Sequence, residues 1–442
     1  MGITAAFFSA TSGINATSRA LSEIGNNIAN AQTIGFKTRT VSFGDLFGAS
    51  IGIGGTSSAL VEGRGVRVLG VDPSFTQGSL QTTSNALDLA IDGDGFFQVT
   101  DASGNPFFSR AGQFNVDDSG NIVNPSGFRL QGFQVDSSGN VTGAIGDMVL
   151  TTLQQIGTAT TDVDMSGNLN ATEPIIAPTT AQLLADPSNS SNSQFSTGVR
   201  VYDSLGVGHD VTVYFAKTAN NTWQYNVIAP NTEVTVIPAN ENTTTGNALV
   251  AQGTLTFDSS GLLLTESDPA GHAISFNNGA TAPQTMVFDF GTSITTDGGT
   301  GTDGMLQQGA ASVLLTLAQN GFSNGTLTNT SIAEDGLITG RFSNGTSQNL
   351  GQVILARFNN PDGLQPLGRN LFIESGGSGT PLVGVPGSGT FGKVTASSLE
   401  ASNVDLGDEL VNMIIMQRGF QANSRIITTT NDLLGELVNL AR

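Results

Sequence analysis

At 442 residues the chain is long enough for two or three domains, each with a core of its own. It carries 36 acidic against 16 basic side chains, a formal charge of −20 with no dense basic run, which excludes nucleic acid and an anionic membrane as partners. The absence of cysteine removes disulfides, thiolate catalysis and thiolate-bound zinc together.

Charged residues make up 12% of the chain, half the usual share of about 25%. Gly, Ser, Thr and Asn fill the difference, a composition suited to β-rich extracellular proteins with many turns. No stretch approaches the roughly 18–20 apolar residues of a membrane span. The opening MGITAAFFSATSG has neither the basic start nor the apolar run of a secretory signal.

Residues 1–35 predict a first helix. Phe7, Ile14, Leu21 and Ile28 recur every seven residues, and Ile3, Ala10, Thr17, Ile24 and Ala31 form a second row. Gly13 and Gly25 each cost about 1 kcal/mol in a helix interior, so this helix needs neighbours to order it. Asn26, Asn27, Asn30 and Gly35 suit a helix end. Residues 36–70 are Gly-rich, with few strand signals before Val66, and read as a connection.

Residues 71–157 read as strands and hairpins. One turn recurs at Asp101–Gly104, Asp117–Gly120 and Asp136–Gly139, with a fourth copy at Asp258–Gly261. The Asp carboxylate can accept backbone amides and the Gly can take positive φ. Residues 158–292 predict an inserted outer β-domain, with a hairpin around His209 and strands at 222–228 and 254–257. The chain then returns through 293–370, with a strong strand at 351–358, and a Gly-rich stretch at 371–397 reads as a second linker.

The last segment, 398–442, predicts a long amphipathic helix. Leu406, Met413, Phe420, Ile427 and Leu434 repeat at seven, Asp405 stands at the N-cap position, and Asp408 and Glu409 sit in the first turn, where acids suit the helix dipole. Heptads at both ends suggest that the termini pair with each other or with those of neighbouring subunits.

Candidate chemistry fails on context. Asp92 and Asp94 lack calcium-loop spacing, because Phe96 and Phe97 occupy the following ligand positions. Gly387-Ser-Gly389-Thr-Phe-Gly392 matches a dinucleotide fingerprint but has no room for a following βαβ unit. His209 and His272 have no nucleophile motif nearby, and His209 reads as a turn residue. The expectation is no catalytic residue, no metal and no cofactor.

Two terminal strings, LSEIGNNIANAQTIGFK (21–37) and LEASNVDLGDELVNMIIMQRGFQANSRIITT (399–429), resemble those of the bacterial flagellar rod and hook axial proteins. NALDLAIDGDGFFQV (85–99), the run 108–133 and GQVILARFNNPDGLQPLGRNLF (351–372) resemble that family's first β-rich segment and its return. The likeness is thin between 158 and 325. Its signature falls on Asn26, Asn27, Ala29, Asn30, Gly35, Phe36, Lys37, Glu400, Ser402, Asn403, Asp405, Gln417 and Arg418.

The resemblance implies a mainly β, discontinuous multidomain protein with long terminal α-helices. Residues 1–35 and 398–442 would form a helical coiled-coil base, 36–70 and 371–397 linkers, 71–157 and 293–370 a first β-domain, and 158–292 an outer one. The seam residues would be Phe7, Ile14, Leu21, Ile24, Ile28, Leu406, Met413, Phe420, Ile427 and Leu434. The large insertion favours the hook branch, a curved flexible tube that transmits motor torque, over a distal rod or related axial subunit forming a straight tube. Expected partners are copies of itself, the rod at the proximal end, the hook cap during assembly, the hook-filament junction protein at the distal end and the flagellar type III export apparatus. Neither nucleic acid nor membrane is expected. The implied location is extracellular, reached without a cleaved signal peptide. A monomeric secreted β-rich enzyme or adhesin remains the reading from another class.

Overall fold

The computed structural model describes residues 2–46, 49–51, 60–62, 64–136, 139–150, 154–267 and 271–440. The chain divides into two compact units: 1–151, 329–340 and 348–442 form the first, and 152–328 with 341–347 the second.

In the first unit, helix α1 runs over Gly2–Ala29. Its buried row is Ala10, Gly13, Ala16, Ala20, Ile24 and Asn27, spaced three and four apart as one helical face requires. The helix stops at Ala29, short of residue 35. Asn30 N–H bonds back to the carbonyls of Asn26 and Asn27 at 3.1 Å each, a tightened last turn. Gly35 takes φ +67°, and a Cβ there would stand 2.6 Å from Ala111 N, so only glycine turns the chain at this point.

The short helix α2, Thr180–Ala185, belongs to the second unit. The long helix α3, Leu406–Leu440, begins where Asp405 Oδ1 accepts the amides of Gly407 (2.7 Å) and Asp408 (3.2 Å). It lies antiparallel to α1. Asn27 bonds Glu409, Thr17 faces Gly419, and Gly13 faces Asn423, each step along one helix matched by a step back along the other. Small residues on α1 permit this approach; a Cβ on Gly13 would meet Asn423 Nδ2 at 2.6 Å.

The two sequence-based linkers are corrected by strand pairing. Arg39–Asp45 pairs antiparallel with Val66–Pro73 across a bulge at Ser42/Phe43, so the two ends of 36–70 form a two-stranded ribbon. The alternation Val41, Phe43 within a run too short to dominate its Gly-rich surroundings hid the first strand. Within 371–397, Lys393–Ala396 pairs with Leu89–Asp92, and Ser398–Glu400 next to it pairs with Leu80–Thr82.

Strand Phe96–Thr100 organises the β part of this unit, pairing with Pro106–Ser109 on one edge and with Arg129–Val135 and Leu355–Arg357 on the other. Successive strand side chains point to opposite faces, and Phe96 and Phe97 accordingly enter different cores. Phe97 packs with Leu89, Ile91, Phe114 and Leu130, whereas Phe96 joins Phe108, Phe358 and Phe372 in edge-to-face contacts.

The second unit sets one antiparallel sheet (Phe195–Tyr202, Gly208–Ala219, Thr222–Pro230, Asn247–Phe257) and one mixed sheet around a shared core. Trp223 is fully buried there, and its indole N–H donates to Gln307 Oε1 at 2.8 Å. The mixed sheet explains why the expected boundary at 158–292 moves. Asp162–Asn170 pairs in parallel with Gln284–Asp289 and Met305–Gln308 and antiparallel with Val313–Gln319, which draws residues 293–328 into this unit.

All four Asp-to-Gly turns adopt the expected geometry. The Gly amides of 104, 120, 139 and 261 bond the Asp carbonyls at 2.9–3.1 Å, with φ between +80° and +83°. His209, expected in a turn, is buried instead, stacked on Phe276 with Nδ1 2.7 Å from Glu233 and Nε2 3.1 Å from Asp203.

Candidate subunit-assembly site

The termini join the first β body through a buried polar knot. Glu400, at the end of strand Ser398–Glu400, accepts Lys37 Nζ at 2.7 Å and the Gly78 amide at 2.9 Å on Oε1, and Arg110 Nη1 approaches Oε2 at 3.4 Å. Lys37 Nζ also donates to the Thr76 carbonyl at 2.7 Å, and Arg110 Nη2 to the Gly93 carbonyl at 2.8 Å. Burial pulls both cations below their ordinary ranges, and the Glu400 carboxylate opposes the shift in each. Two charges against one, sealed from water, make a junction that tolerates no lost partner.

A second layer ties the helix ends to it. Asn27 donates to Glu409 Oε1 and to the Arg39 carbonyl at 2.9 Å each, and its Oδ1 accepts the Arg39 amide at 3.0 Å. Asn403 Oδ1 accepts the Thr38 amide at 2.7 Å, while its Nδ2 reaches the Ser74 carbonyl at 2.9 Å. Asn30 Nδ2 bonds the Asn26 carbonyl, and Phe36 is buried beside Lys37. Most signature positions (Asn26, Asn27, Asn30, Gly35, Phe36, Lys37, Glu400, Asn403) therefore converge on this junction, while Asp405 caps α3 beside it. Ala29, Gln417 and Arg418 are exposed, and among the described residues the Ser402 hydroxyl accepts only the Val404 amide. Arg39, Thr76, Gly78, Gly93 and Arg110 were not singled out from sequence, and nothing short of the fold brings them here.

The heptad residues divide between two faces. Ile24 is buried within the protomer, and Met413 and Ile427 lie on the half-buried row of α3. Phe7, Leu406, Phe420 and Leu434 are exposed, and Ile14, Leu21 and Ile28 are half-buried. Leu410, Val411, Ile414 and Ile415 add an outer apolar face to α3 on which each side chain is 51–56% exposed. A soluble monomer rarely displays so continuous an apolar surface, which marks it as a contact face.

No helix among the described residues is long and apolar enough to cross a membrane. Helical ends locked to a β body, with one helix face paired inside the protomer and the other left in water, define a subunit that other subunits complete.

Known proteins give the class its family. Four family profiles match in order: flagella basal body rod protein at 8–37, the flagellar hook protein FlgE/F/G D1 domain at 90–171, the flagellar basal body protein FlaE D2 domain at 168–322, and the flagellar basal body rod FlgEFG protein C-terminal at 395–440. The chain is 37% identical to the flagellar hook protein FlgE of Escherichia coli over 98% of its own length and 100% of that protein. It is 33% identical to the hook protein FlgE of Treponema pallidum over 98% and 99%. The crystal structure of Helicobacter pylori flagellar hook protein FlgE2 has a similar fold, with a TM-score of 0.50 and 15% identity over 73% of this chain and 100% of that one. The chain belongs to the flagellar hook protein FlgE family.

Proposed function

We propose that this chain works as the structural subunit of the bacterial flagellar hook, a self-polymerising extracellular component of the flagellum. The observation that carries the reading is the outer apolar face of α3, which its own protomer leaves in water. Copies that stack through a heterologous, non-closing contact generate an open helical polymer and bury that face. Phe7, Ile14, Leu21, Ile28, Leu406, Phe420 and Leu434 take neighbouring helices, whereas Ile24, Met413 and Ile427 hold α1 and α3 together within one subunit. The polar, weakly charged β surfaces suit contacts that slide as a curved tube rotates.

At its ends the polymer meets the rod and the hook-filament junction protein, with a hook cap present during growth. Subunits leave through the flagellar type III export apparatus without a cleaved signal, and the glycines of α1 favour passage in an unfolded state. The test is negative-stain electron microscopy of the purified full-length chain concentrated with polyethylene glycol. Curved tubes are expected. Straight, stiff tubes would return the chain to the rod branch, and a persistent monomer would remove the polymer reading.

A further inference from the structure

The first unit contains a cavity of about 250 Å³ between the end of α1 and the turn joining strands Gln365–Gly368 and Leu371–Ile373. Arg39, Arg369 and Lys37 line it with the amides of Asn26, Asn30 and Asn370, and no acidic side chain does. Lys37 is already held by Glu400. Neither Arg39 nor Arg369 forms an ion pair among the described residues. In a chain with 36 carboxylates and 16 cations, a cavity lined by two unpaired guanidiniums and no carboxylate is a locally cationic site.

The backbone adds an independent observation. Arg369 and Asn370 have φ +54° and +57° and form a two-residue turn between paired Gly368 and Leu371. Such a turn requires positive φ at both positions and favours Asn, Asp or Gly. Asn370 fits that rule, but Arg369 does not. A large side chain held in a conformation it disfavours points to a use for that side chain.

We propose that this cavity receives a carboxylate side chain from a second copy of the chain, gripped by Arg39 and Arg369. Guanidinium forks match a carboxylate in geometry and charge, while the Asn30 and Asn370 amides, bonded to Asn26 and to the Ile34 carbonyl, hold the cavity wall in place. The second copy is the occupant because the same chain is strongly acidic and, on the polymer reading above, packs against itself. The contact would fix the register of neighbours beside the Glu400 junction, while the apolar helix face supplies adhesion.

The experiment compares tube formation by the full-length chain with that of Arg39→Gln, Arg369→Asn and the double variant, in polyethylene glycol over a sodium chloride series. Arg369→Asn is expected to melt at or above the wild-type temperature, since Asn suits the turn. The double variant should need about tenfold more protein to form tubes and lose most of the salt dependence of assembly. A cryo-electron microscopy map of wild-type tubes should place a neighbour's carboxylate against both guanidiniums. Equal assembly and equal salt dependence in the double variant would overturn the proposal. So would inorganic phosphate binding to the protomer that is lost in the double variant while assembly is unchanged, which assigns the cavity to a free anion. Failure of the wild-type chain to form tubes would strike the polymer reading and take this proposal with it.

Discussion

Lys37 and Glu400 meet at 2.7 Å although 363 residues separate them, and their side chains are 1% and 0% exposed. Glu400 is also the only carboxylate that Arg110 contacts among the described residues. Replacing it by glutamine leaves two buried cations without their buried counter-charge, with only the exposed Asp94 acting on Arg110. Glu400→Gln is expected to destabilise the first unit by about 3–5 kcal/mol, read from denaturant unfolding. Lys37→Met should cost less, because Arg110 still balances the carboxylate.

Asp405 caps α3 with a single carboxylate oxygen on two amides. Asp405→Ala should cost about 1 kcal/mol and speed amide exchange in the first turn of the helix. Exchange in the Thr222–Pro230 strand, in the other unit, should not change.

Neighbouring residues on α3 separate packing inside the protomer from packing between subunits. Ile414→Asp places a charge on a side chain that is 51% exposed, so the monomer should keep its melting temperature within about 1 kcal/mol of stability while tubes fail to form. Met413→Asp, on the row facing α1, should lower helix content in the monomer itself. Circular dichroism and electron microscopy of the two variants distinguish these outcomes.

The second unit has a pH dependence of its own. Glu266 is pushed from 4.5 up to about 7 by burial first and then by the Asp297 and Asp289 charges, and its buried Oε2 has no hydrogen-bond partner. The fold holds this proton more tightly than the unfolded chain does. Its stabilising contribution is full below about 4.5 and is lost as pH rises through about 7. Because the group is half-exposed, solvent screening limits the loss to about 1–2 kcal/mol. The melting temperature of the second unit should fall as pH rises from about 4.5 to about 7, and Glu266→Gln should flatten that slope.

Local chemistry was legible before any coordinates. The Asp-to-Gly turns, the Asp405 cap and the asparagines that close the first helix all depend on residues within a few positions of each other. Strand Arg39–Asp45 was not legible, because its seven residues pair with Val66–Pro73 across a Gly-rich stretch whose composition masks the alternation. The heptads mark two rows on the first helix and one on the last. Periodicity reveals apolar rows but carries no information about which row meets a partner in the same chain.

By itself the sequence determined the β-rich body, the helical termini and the family, since composition, turn spacing and the terminal strings are properties of the linear chain. The tertiary structure alone decided that small residues around Gly13 face α3 while Ile414 and its neighbours face water. It also joined Glu400 to Lys37 and Arg110, and it drew residues 293–328 into the second unit through the parallel strands beside Asp162–Asn170. Each of these depends on contacts between segments more than a hundred residues apart, and such contacts are chosen by packing and charge burial in three dimensions.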